Sequence, residues 1–235
     1  MRTILRAVGG ALLIVMAGGG YWLYQLIWGL PFNFDHLIDR QGIYLLMSRP
    51  QILTQLGLID GTMLDYHSDK FDEFTLAERD RLMAVTKRNI AEIKSYDRAS
   101  LTPEQQATYD IMVWQQETQL RSERFPWLSA GFGLYPMNQM FGEQLGLPRF
   151  MQFSHQVKNE KTARNYVARL NAWGKRFDQV LAEVERQASL KVLPPRFVVD
   201  QIIASTVTFT KPAAKDNPLI TTFREKLGKL NDLDR

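Results

Sequence analysis

The stretch from Asn159 to Leu190 reads NEKTARNYVARLNAWGKRFDQVLAEVERQASL and contains the longest helical pattern of the chain. Asn159 is a typical N-cap residue, and the LPPRF segment that follows the stretch cannot continue a helix. Apolar residues recur between these limits at every third or fourth position. They are Ala163, Tyr166, Val167, Leu170, Trp173, Phe177, Val180, Leu181, Val184 and Ala188. We therefore predict one long central helix over residues 160–190, with Trp173 and Phe177 buried on its apolar face.

Two more helix starts lie upstream of this stretch. In SLTPEQQATYDIMVWQQETQL, residues 100–120, Thr102 and Gln105 form a capping box around a proline at the first helical position. Thr75 and Glu78 form a second capping box, which opens a helix that extends to about residue 95. Because only a short turn separates the two helices, we predict that they form an antiparallel hairpin.

Shorter helical patterns fill most of the remaining chain. We predict helices over residues 35–47, 50–57 and 196–208 and a last helix that begins at Asn217 or Pro218. The predicted fold class is therefore mainly α, an irregular bundle of amphipathic helices around one long central helix.

The first thirty residues, MRTILRAVGGALLIVMAGGGYWLYQLIWGL, are different in character. Arg2 and Arg6 precede an apolar run over residues 7–30, which as a helix would be about 36 Å long and could cross a bilayer. Aromatic residues gather at its far end, as is typical of the membrane interface. We predict a signal-anchor transmembrane helix in residues 1–30 that contacts the lipid bilayer through residues 7–30.

The arginines place the N-terminus inside, so residues 31–235 are expected to form a periplasmic or extracellular helical region of a single-pass inner-membrane protein. Two alternatives to the anchor remain open. Val15, Met16 and Ala17 resemble a signal-peptide cleavage pattern, and a buried soluble helix is the other possibility.

Composition excludes several classes of protein and site. With 45% apolar residues the chain can bury a core, and the absence of cysteine excludes disulfides, thiolate zinc sites and a cysteine nucleophile. The formal net charge is +4, of which Arg2 and Arg6 supply half. Because the rest of the chain is nearly neutral, we expect no nucleic-acid partner.

Few residues suggest chemistry. The three histidines, His36, His67 and His155, have no partner at helical spacing that would make a zinc motif, and no phosphate-binding or serine-hydrolase motif is present. Asp65, His67 and Asp69 lie together in LDYHSD, where we expect a hydrated loop histidine rather than an acid–base or metal site. We therefore assign no catalytic, metal or cofactor-binding residue, and we expect no cofactor.

The segment over residues 125–153, FPWLSAGFGLYPMNQMFGEQLGLPRFMQF, is rich in glycine, proline and aromatic residues. It shows no sustained period, which predicts an ordered loop with short helical pieces. Its rings could line an apolar cleft, or they could pack on the neighbouring helices.

Six blocks of the sequence together carry a resemblance. In chain order they read SRPQILTQLG, LTPEQQATYDIMVWQQETQ, LYPMNQMFGEQLGLPRFMQ, NEKTARNYVARLNAWGKRFDQVLAEVERQ, VLPPRFVVDQII and NPLITTFREKL. In this order and spacing the chain resembles the N-terminal half of the bacterial domain-of-unknown-function family 885. The resemblance implies an α-helical, secreted or membrane-anchored bacterial protein, whose longer relatives carry a zinc motif of H-E-x-x-x-H character in their later half and look like metallopeptidases.

No such zinc motif occurs in this sequence, so no catalytic residue is carried over. The expected function is a membrane-anchored extracytoplasmic scaffold region of a metallopeptidase-like protein, not catalytic by itself, with a missing C-terminal half or a separate chain as its partner. One alternative is a membrane-tethered binding module that uses the aromatic segment 125–153. Another is an enzyme that uses His67 with Asp65 and Asp69.

Overall fold

A computed structural model of the chain describes residues 16–131 and 133–233. Within these ranges the protein is helical and contains no strand, which confirms that the fold is mainly α. The helices are α1, described over residues 16–27, α2 (Phe34–Met47), α3 (Pro50–Leu56), α4 (Leu76–Lys94), α5 (Pro103–Leu120), α6 (Glu143–Arg149), α7 (Glu160–Ser189), α8 (Arg196–Thr210) and α9 (Pro218–Leu233).

The chain divides into two compact units. The first unit contains the residues up to Leu45 together with Ala84–Arg121, and the second contains Leu46–Met83 and Ser122–Arg235. Helix α5 and all but the last two residues of α2 lie in the first unit, and α3 and α6 to α9 lie in the second.

The first unit has an apolar core. Phe34 and Leu37 of α2 and Ile93 of α4 are its buried residues, and apolar side chains of α5 pack against them. Lys94 pairs with Glu117 across α4 and α5 at 2.6 Å, which fits the predicted antiparallel hairpin. The hairpin thus presents one shared apolar face to α2.

The start of α5 is formed as the sequence predicts. The hydroxyl of Thr102 accepts from the backbone N–H of Gln105, whose side-chain oxygen accepts in turn from the backbone N–H of Thr102. Thr75 likewise caps α4, because its hydroxyl accepts from the backbone N–H of Glu78. The Glu78 carboxylate instead pairs with Arg81 at 2.6 Å.

The long helix α7 is confirmed, but its buried face is not purely apolar. The buried residues on it are Thr162, Tyr166, Arg169, Arg176, Val180, Glu183 and Gln187. The prediction that Trp173 and Phe177 are buried is wrong, because both side chains are half-buried. Val167 and Leu181, also part of the predicted stripe, are exposed.

A charged side chain at the buried face explains this difference. The guanidinium of Arg176 donates to the backbone carbonyl of Asp72 at 2.8 Å and to the carboxylate of Glu143 at 2.9 Å. It also lies 4.6 Å from the ring centroid of Phe74, a favourable cation–π distance. These contacts compensate the loss of hydration, so the arginine occupies a position at which the periodicity predicts an apolar residue.

The described part of α1 ends earlier than the predicted span. Its helical residues stop at 27, and the side-chain oxygen of Gln25 accepts from the backbone N–H of Leu30 just beyond the end. The predicted helix over residues 7–30 begins outside the described residues. No helix in the described ranges has the length and apolar character needed to cross a membrane.

The aromatic segment is loop over residues 125–131 and 133–142 and helical after that. Its second part forms α6, which contains Pro148, and a π-helical turn over Phe150–Ser154. In that turn the backbone N–H of His155 donates to the carbonyl of Phe150. The turn buries Phe150 and Met151 in a core with Tyr166 of α7. The prediction of short helical pieces is therefore confirmed, and Phe150 is a ring of this segment that packs on a neighbouring helix.

Candidate functional site

The three histidines lie in two different environments. His36 belongs to the first unit, on α2, and its ring contacts Trp22 edge-on at a centroid distance of 6.0 Å. His67 and His155 belong to the second unit, where both are buried. The expectation of a hydrated loop histidine at position 67 is therefore wrong, because the His67 side chain is 0% exposed.

His67 lies between two carboxylates. Its Nε2 is 2.9 Å from Oδ1 of Asp60, and its Nδ1 is 3.2 Å from Oδ1 of Asp65. Asp65 belongs to the group that the sequence suggests, whereas Asp60 does not, and Asp69 forms no ion pair or hydrogen bond with the ring. Nε2 shares a hydrogen bond with Asp60, whereas Nδ1 makes no hydrogen bond although the Asp65 carboxylate lies nearby.

Asp65 is held by the loop in which it lies. Its carboxylate accepts from the hydroxyl of Ser68 at 2.6 Å, from the backbone N–H of Gly61 at 2.7 Å and from the backbone N–H of Ser68 at 3.0 Å. Burial raises the pKa of Asp65, but the hydrogen bonds from Ser68 and Gly61 outweigh it and lower the pKa to about 2. Asp65 is therefore ionised at neutral pH.

Gly61 is required at its position in this loop. Its φ of 76° lies in the left-handed region that favours glycine. A Cβ atom there would also come within 2.6 Å of the side-chain nitrogen of Asn159, the N-cap of α7. That same amide nitrogen donates to the carbonyl of Gly61, so the loop and the start of α7 are joined directly.

Arg169 of α7 connects the two buried histidines. Its guanidinium donates to Nδ1 of His155 at 2.8 Å, to the hydroxyl of Thr54 at 2.7 Å and to the backbone carbonyl of His67 at 3.2 Å. Its Nε donates to the backbone carbonyl of Lys70 at 2.9 Å. Burial lowers the pKa of Arg169 to about 10, so the group stays charged at neutral pH.

His155 is neutral in this arrangement. Burial, reinforced by the positive charge of Arg169, lowers the pKa of His155 to about 3. Because Arg169 donates to Nδ1, the proton is on Nε2, which donates to the carbonyl of Thr162 at 3.1 Å. Both ring nitrogens are therefore used by the fold.

Lys226 of α9 contacts the backbone of the segment that contains His155. Its ammonium donates to the backbone carbonyls of Met151 and His155, at the end of the π-helical turn. Burial lowers the pKa of Lys226 to about 8. A lysine at this place satisfies carbonyls that the turn leaves without helical partners.

We call Asp60, Asp65, His67, His155 and Arg169 the polar core. Burial raises the pKa of Asp60, an effect that His67 and Lys158 partly oppose. The charges and hydrogen-bonding groups of the polar core face one another rather than solvent. Across residues 16–131 and 133–233, no set of three histidine, aspartate or glutamate side chains has an arrangement suited to a metal ion.

An open groove of about 520 Å³ lies elsewhere in the second unit and is lined mainly by charged side chains. Glu73 and Lys175, which line it, pair at 3.0 Å, and Asp72 and Arg176 also line it. Hydrogen bonds from Lys175 and Gln179 lower the pKa of Glu73. The groove therefore presents paired charges of both signs.

Sequence reasoning missed Arg169, Asp60 and Thr54. One signal was present, because Arg169 lies three residues after Tyr166 and seven before Arg176, at the spacing of a buried helical face. Asp60 and Thr54 carry no comparable signal. They lie 109 and 115 residues before Arg169 in the chain; the Thr54 contact is formed only by the tertiary fold.

Comparison with known proteins agrees with this helical architecture. A solved structure described as "the putative lipoprotein from Colwellia psychrerythraea" matches with a TM-score of 0.66 and 19% sequence identity. The match covers 82% of this chain and 34% of that protein, so the chain spans about one third of its length. At this identity the likeness establishes the fold alone. No curated protein matches the chain.

A family model provides the closer relationship. It is described as "Bacterial protein of unknown function (DUF885)" and matches residues 50–234, most of the chain. The matched range includes the whole polar core and the helices that hold it. The chain therefore belongs to the bacterial domain-of-unknown-function family 885.

Proposed function

We propose that this chain is a membrane-tethered, extracytoplasmic helical scaffold region that has no catalytic activity by itself. One observation carries the proposal: the buried histidines and carboxylates of the second unit take their partners from the chain's own groups. Arg169 alone contacts three different segments, through Thr54, through the loop residues His67 and Lys70, and through His155. An acid–base or metal site needs groups that can reach a substrate or a water molecule.

The length of the similar structure supports a role within a larger assembly. Because the chain spans about one third of the Colwellia psychrerythraea protein, we propose that catalytic chemistry in such proteins belongs to a further region or a separate chain. The zinc-peptidase character implied by the resemblance is proposed only for that further region. The present chain would supply a stable helical body on which it packs.

Metal analysis and hydrolysis assays test the absence of catalysis. The full chain is produced in zinc-supplemented medium, and its zinc content and its hydrolysis of a mixed peptide library are measured. We expect far less than one zinc per chain and no cleavage above a blank. Stoichiometric zinc that is lost together with activity in His67→Ala or His155→Ala, while circular dichroism shows an unchanged fold, would overturn the proposal.

The membrane tether has its own test. The full chain is expressed in bacteria with a reporter fused after Arg235 that is active only outside the cytoplasm. We expect reporter activity, and we expect the protein to remain in the membrane fraction after a high-salt wash and to dissolve only with detergent. Activity of a cytoplasm-specific reporter, or release by the wash, would contradict the tether.

A second candidate function is a contact surface in the aromatic segment. Phe141 and Phe153 are 81% and 72% exposed, although most rings of globular proteins are buried. A photo-crosslinking residue placed at position 141 is expected to give a protein adduct in cells, whereas one at the exposed position 215 is not. Equal labelling at the two positions would remove this candidate.

A further inference from the structure

The end of α1 and the residues after it expose a group of aromatic side chains in the first unit. Its members are Tyr21, Trp22, Tyr24, Trp28 and Phe32, and Trp28 is 71% exposed. The rings lie near one another, with centroid distances of 6.0 Å between Tyr21 and Phe32 and 6.1 Å between Tyr24 and Trp28. We call this group the aromatic end. Rings of tyrosine and tryptophan favour the boundary between a bilayer and water.

A pocket begins directly at the aromatic end. Its volume is about 340 Å³, and Ile27 and Trp28 form one wall. Arg40 and Arg88 line it from the other elements of the first unit, α2 and the second half of α4. The pocket therefore joins apolar rings and two guanidinium groups within a single unit.

Arg40 is fixed in place by the end of α1. Its Nη1 donates to the carbonyl of Gly29 at 2.6 Å, and its Nη2 pairs with Glu92 at 3.0 Å. Part of its side chain remains accessible from the pocket, at 19% exposure. Arg40 thus joins the cationic side of the pocket to Gly29, which lies between Trp28 and Phe32 of the aromatic end.

Arg88 is the second cation of the pocket. It is exposed, its guanidinium carbon lies 5.7 Å from the ring centroid of Tyr44, and it forms no ion pair with a carboxylate of the described residues. Glu92 is the one acid that lines the pocket, so the described lining carries one more positive than negative charge. Arginine matches phosphate oxygens geometrically and electrostatically.

We propose that this pocket binds the phosphate of an anionic phospholipid headgroup while the aromatic end lies in the interfacial layer of the same membrane. The inference rests on the proposed membrane tether and adds a lipid class to it. Charge complementarity selects an anionic lipid, and the neighbouring exposed rings select a bilayer surface over a soluble phosphate compound. Arg88 supplies charge, whereas Arg40 also positions the chain.

Lipid retention by the full chain tests the site. The protein in maltoside micelles is mixed with equal amounts of phosphatidylglycerol and phosphatidylcholine, and bound lipids are counted by native mass spectrometry. We expect retention of phosphatidylglycerol to exceed that of phosphatidylcholine by about fivefold. Arg88→Gln should reduce this ratio to near one. Arg196→Gln, a change at an exposed arginine of the second unit, should leave the ratio unchanged.

Several results would overturn the site. They are equal retention of the two lipids by the unmodified chain, an unchanged preference in Arg88→Gln, or displacement of phosphatidylglycerol by millimolar inorganic phosphate, which would indicate a site for free phosphate. If Arg88→Gln fails to fold, quenching of the tryptophan fluorescence by brominated lipids decides the question in the unmodified chain. Stronger quenching by brominated phosphatidylglycerol than by brominated phosphatidylcholine is expected, and equal quenching contradicts the proposal.

The lipid assay separates this inference from the tether. Micelles present the lipids to the protein whether or not it is anchored in a cell membrane. A chain that is released by a high-salt wash but still prefers phosphatidylglycerol through Arg88 would contradict the tether and support the headgroup site. A chain that stays in the membrane but shows no preference for phosphatidylglycerol would support the tether and contradict the headgroup site.

Discussion

In the first unit the buried centre consists of Phe34, Leu37 and Ile93, whereas the most buried large side chains of the second unit include Arg169, His67 and His155. The first centre is held by contacts that need only matching shape and apolar surface. The second is held by hydrogen bonds and charges whose geometry must be satisfied as a set. The interiors of the two units are therefore stabilised by different interactions, and we expect different kinds of substitution to destabilise them.

The difference also decides what each region can contribute to function. An apolar centre has no titratable group, so its stability follows temperature and packing. The polar core contains groups whose charge depends on the environment, as the low pKa of His155 shows. Removing one member leaves the others buried without a partner, which costs more than the lost contact itself. The second unit is thus the one in which a single substitution has the widest effect.

The largest effect is expected for Arg169→Met. Methionine removes four hydrogen bonds and the positive charge near Asp60 and Asp65, and breaking a buried charge network typically costs about 3–5 kcal/mol. The free energy of unfolding is measured by urea titration of the full chain in detergent. Arg164→Met on the same helix is the control, because its side chain is 78% exposed and should change the free energy by less than about 0.5 kcal/mol. Equal effects of the two changes would show that the polar core does not stabilise the second unit.

The apolar centre should be sensitive to the loss of volume instead. Leu37 is fully buried, and Leu37→Ala is expected to cost about 3 kcal/mol because it removes apolar surface and leaves a cavity. Ile43→Ala, at an exposed position of the same helix, should cost much less. If Leu37→Ala is neutral, the packing described for α2 is incorrect.

The dependence on pH should distinguish the two centres. The unfolded chain binds a proton at His155 below its ordinary pKa of 6.5, whereas the folded chain does so only near 3, so stability falls as the pH falls through this window. Between pH 6.5 and 5 the loss attributable to His155 is about 2 kcal/mol. Urea titrations at both pH values should show this loss in the unmodified chain.

His155→Asn provides the comparison, because its amide oxygen can still accept from Arg169 but does not titrate. The difference in stability between pH 6.5 and 5 should be about 2 kcal/mol smaller in this variant. The same difference in both proteins would mean that His155 is accessible to protons in the folded state.

The smallest effect is expected at the start of α5. Thr102→Ala removes the side-chain acceptor of the capping box and should cost about 1 kcal/mol. Thr102→Ser keeps the hydroxyl and should restore most of the stability. Thermal unfolding of both variants provides the measurement, and equal melting temperatures would mean that the cap contributes nothing.

These differences explain how far the sequence could predict the structure. The capping boxes of Thr102 and Asn159 are local patterns, and both helix starts were predicted correctly. The apolar contacts of α4 and α5 also follow from periodicity. The polar core could not be predicted in this way, because Arg169 and Asp60 are polar residues that become buried only through distant partners.

Trp173 and Phe177 show the same limit of prediction for apolar residues, because both were predicted to be buried and are only half-buried. Their spacing correctly identifies a helix, but periodicity assumes that apolar residues mark the centre of the buried face. Arg169 and Arg176 are more deeply buried than either ring, so the actual face is turned toward polar positions. Only a prediction that allows hydrogen-bonded charged side chains in the interior would have placed the buried face of α7 correctly.

The contacts of Arg169 have a consequence for the order of folding. Its partner Thr54 is 115 residues away in the chain, and Lys70 and His67 are 99 and 102 residues away. The pairs that join the α4–α5 hairpin are 12 and 23 residues apart. Closing a long loop costs more conformational entropy than closing a short one, so the hairpin should assemble early and the polar core late. Substitutions at Arg169 should then accelerate unfolding and leave the folding rate nearly unchanged, which makes this arginine a determinant of the lifetime of the native state.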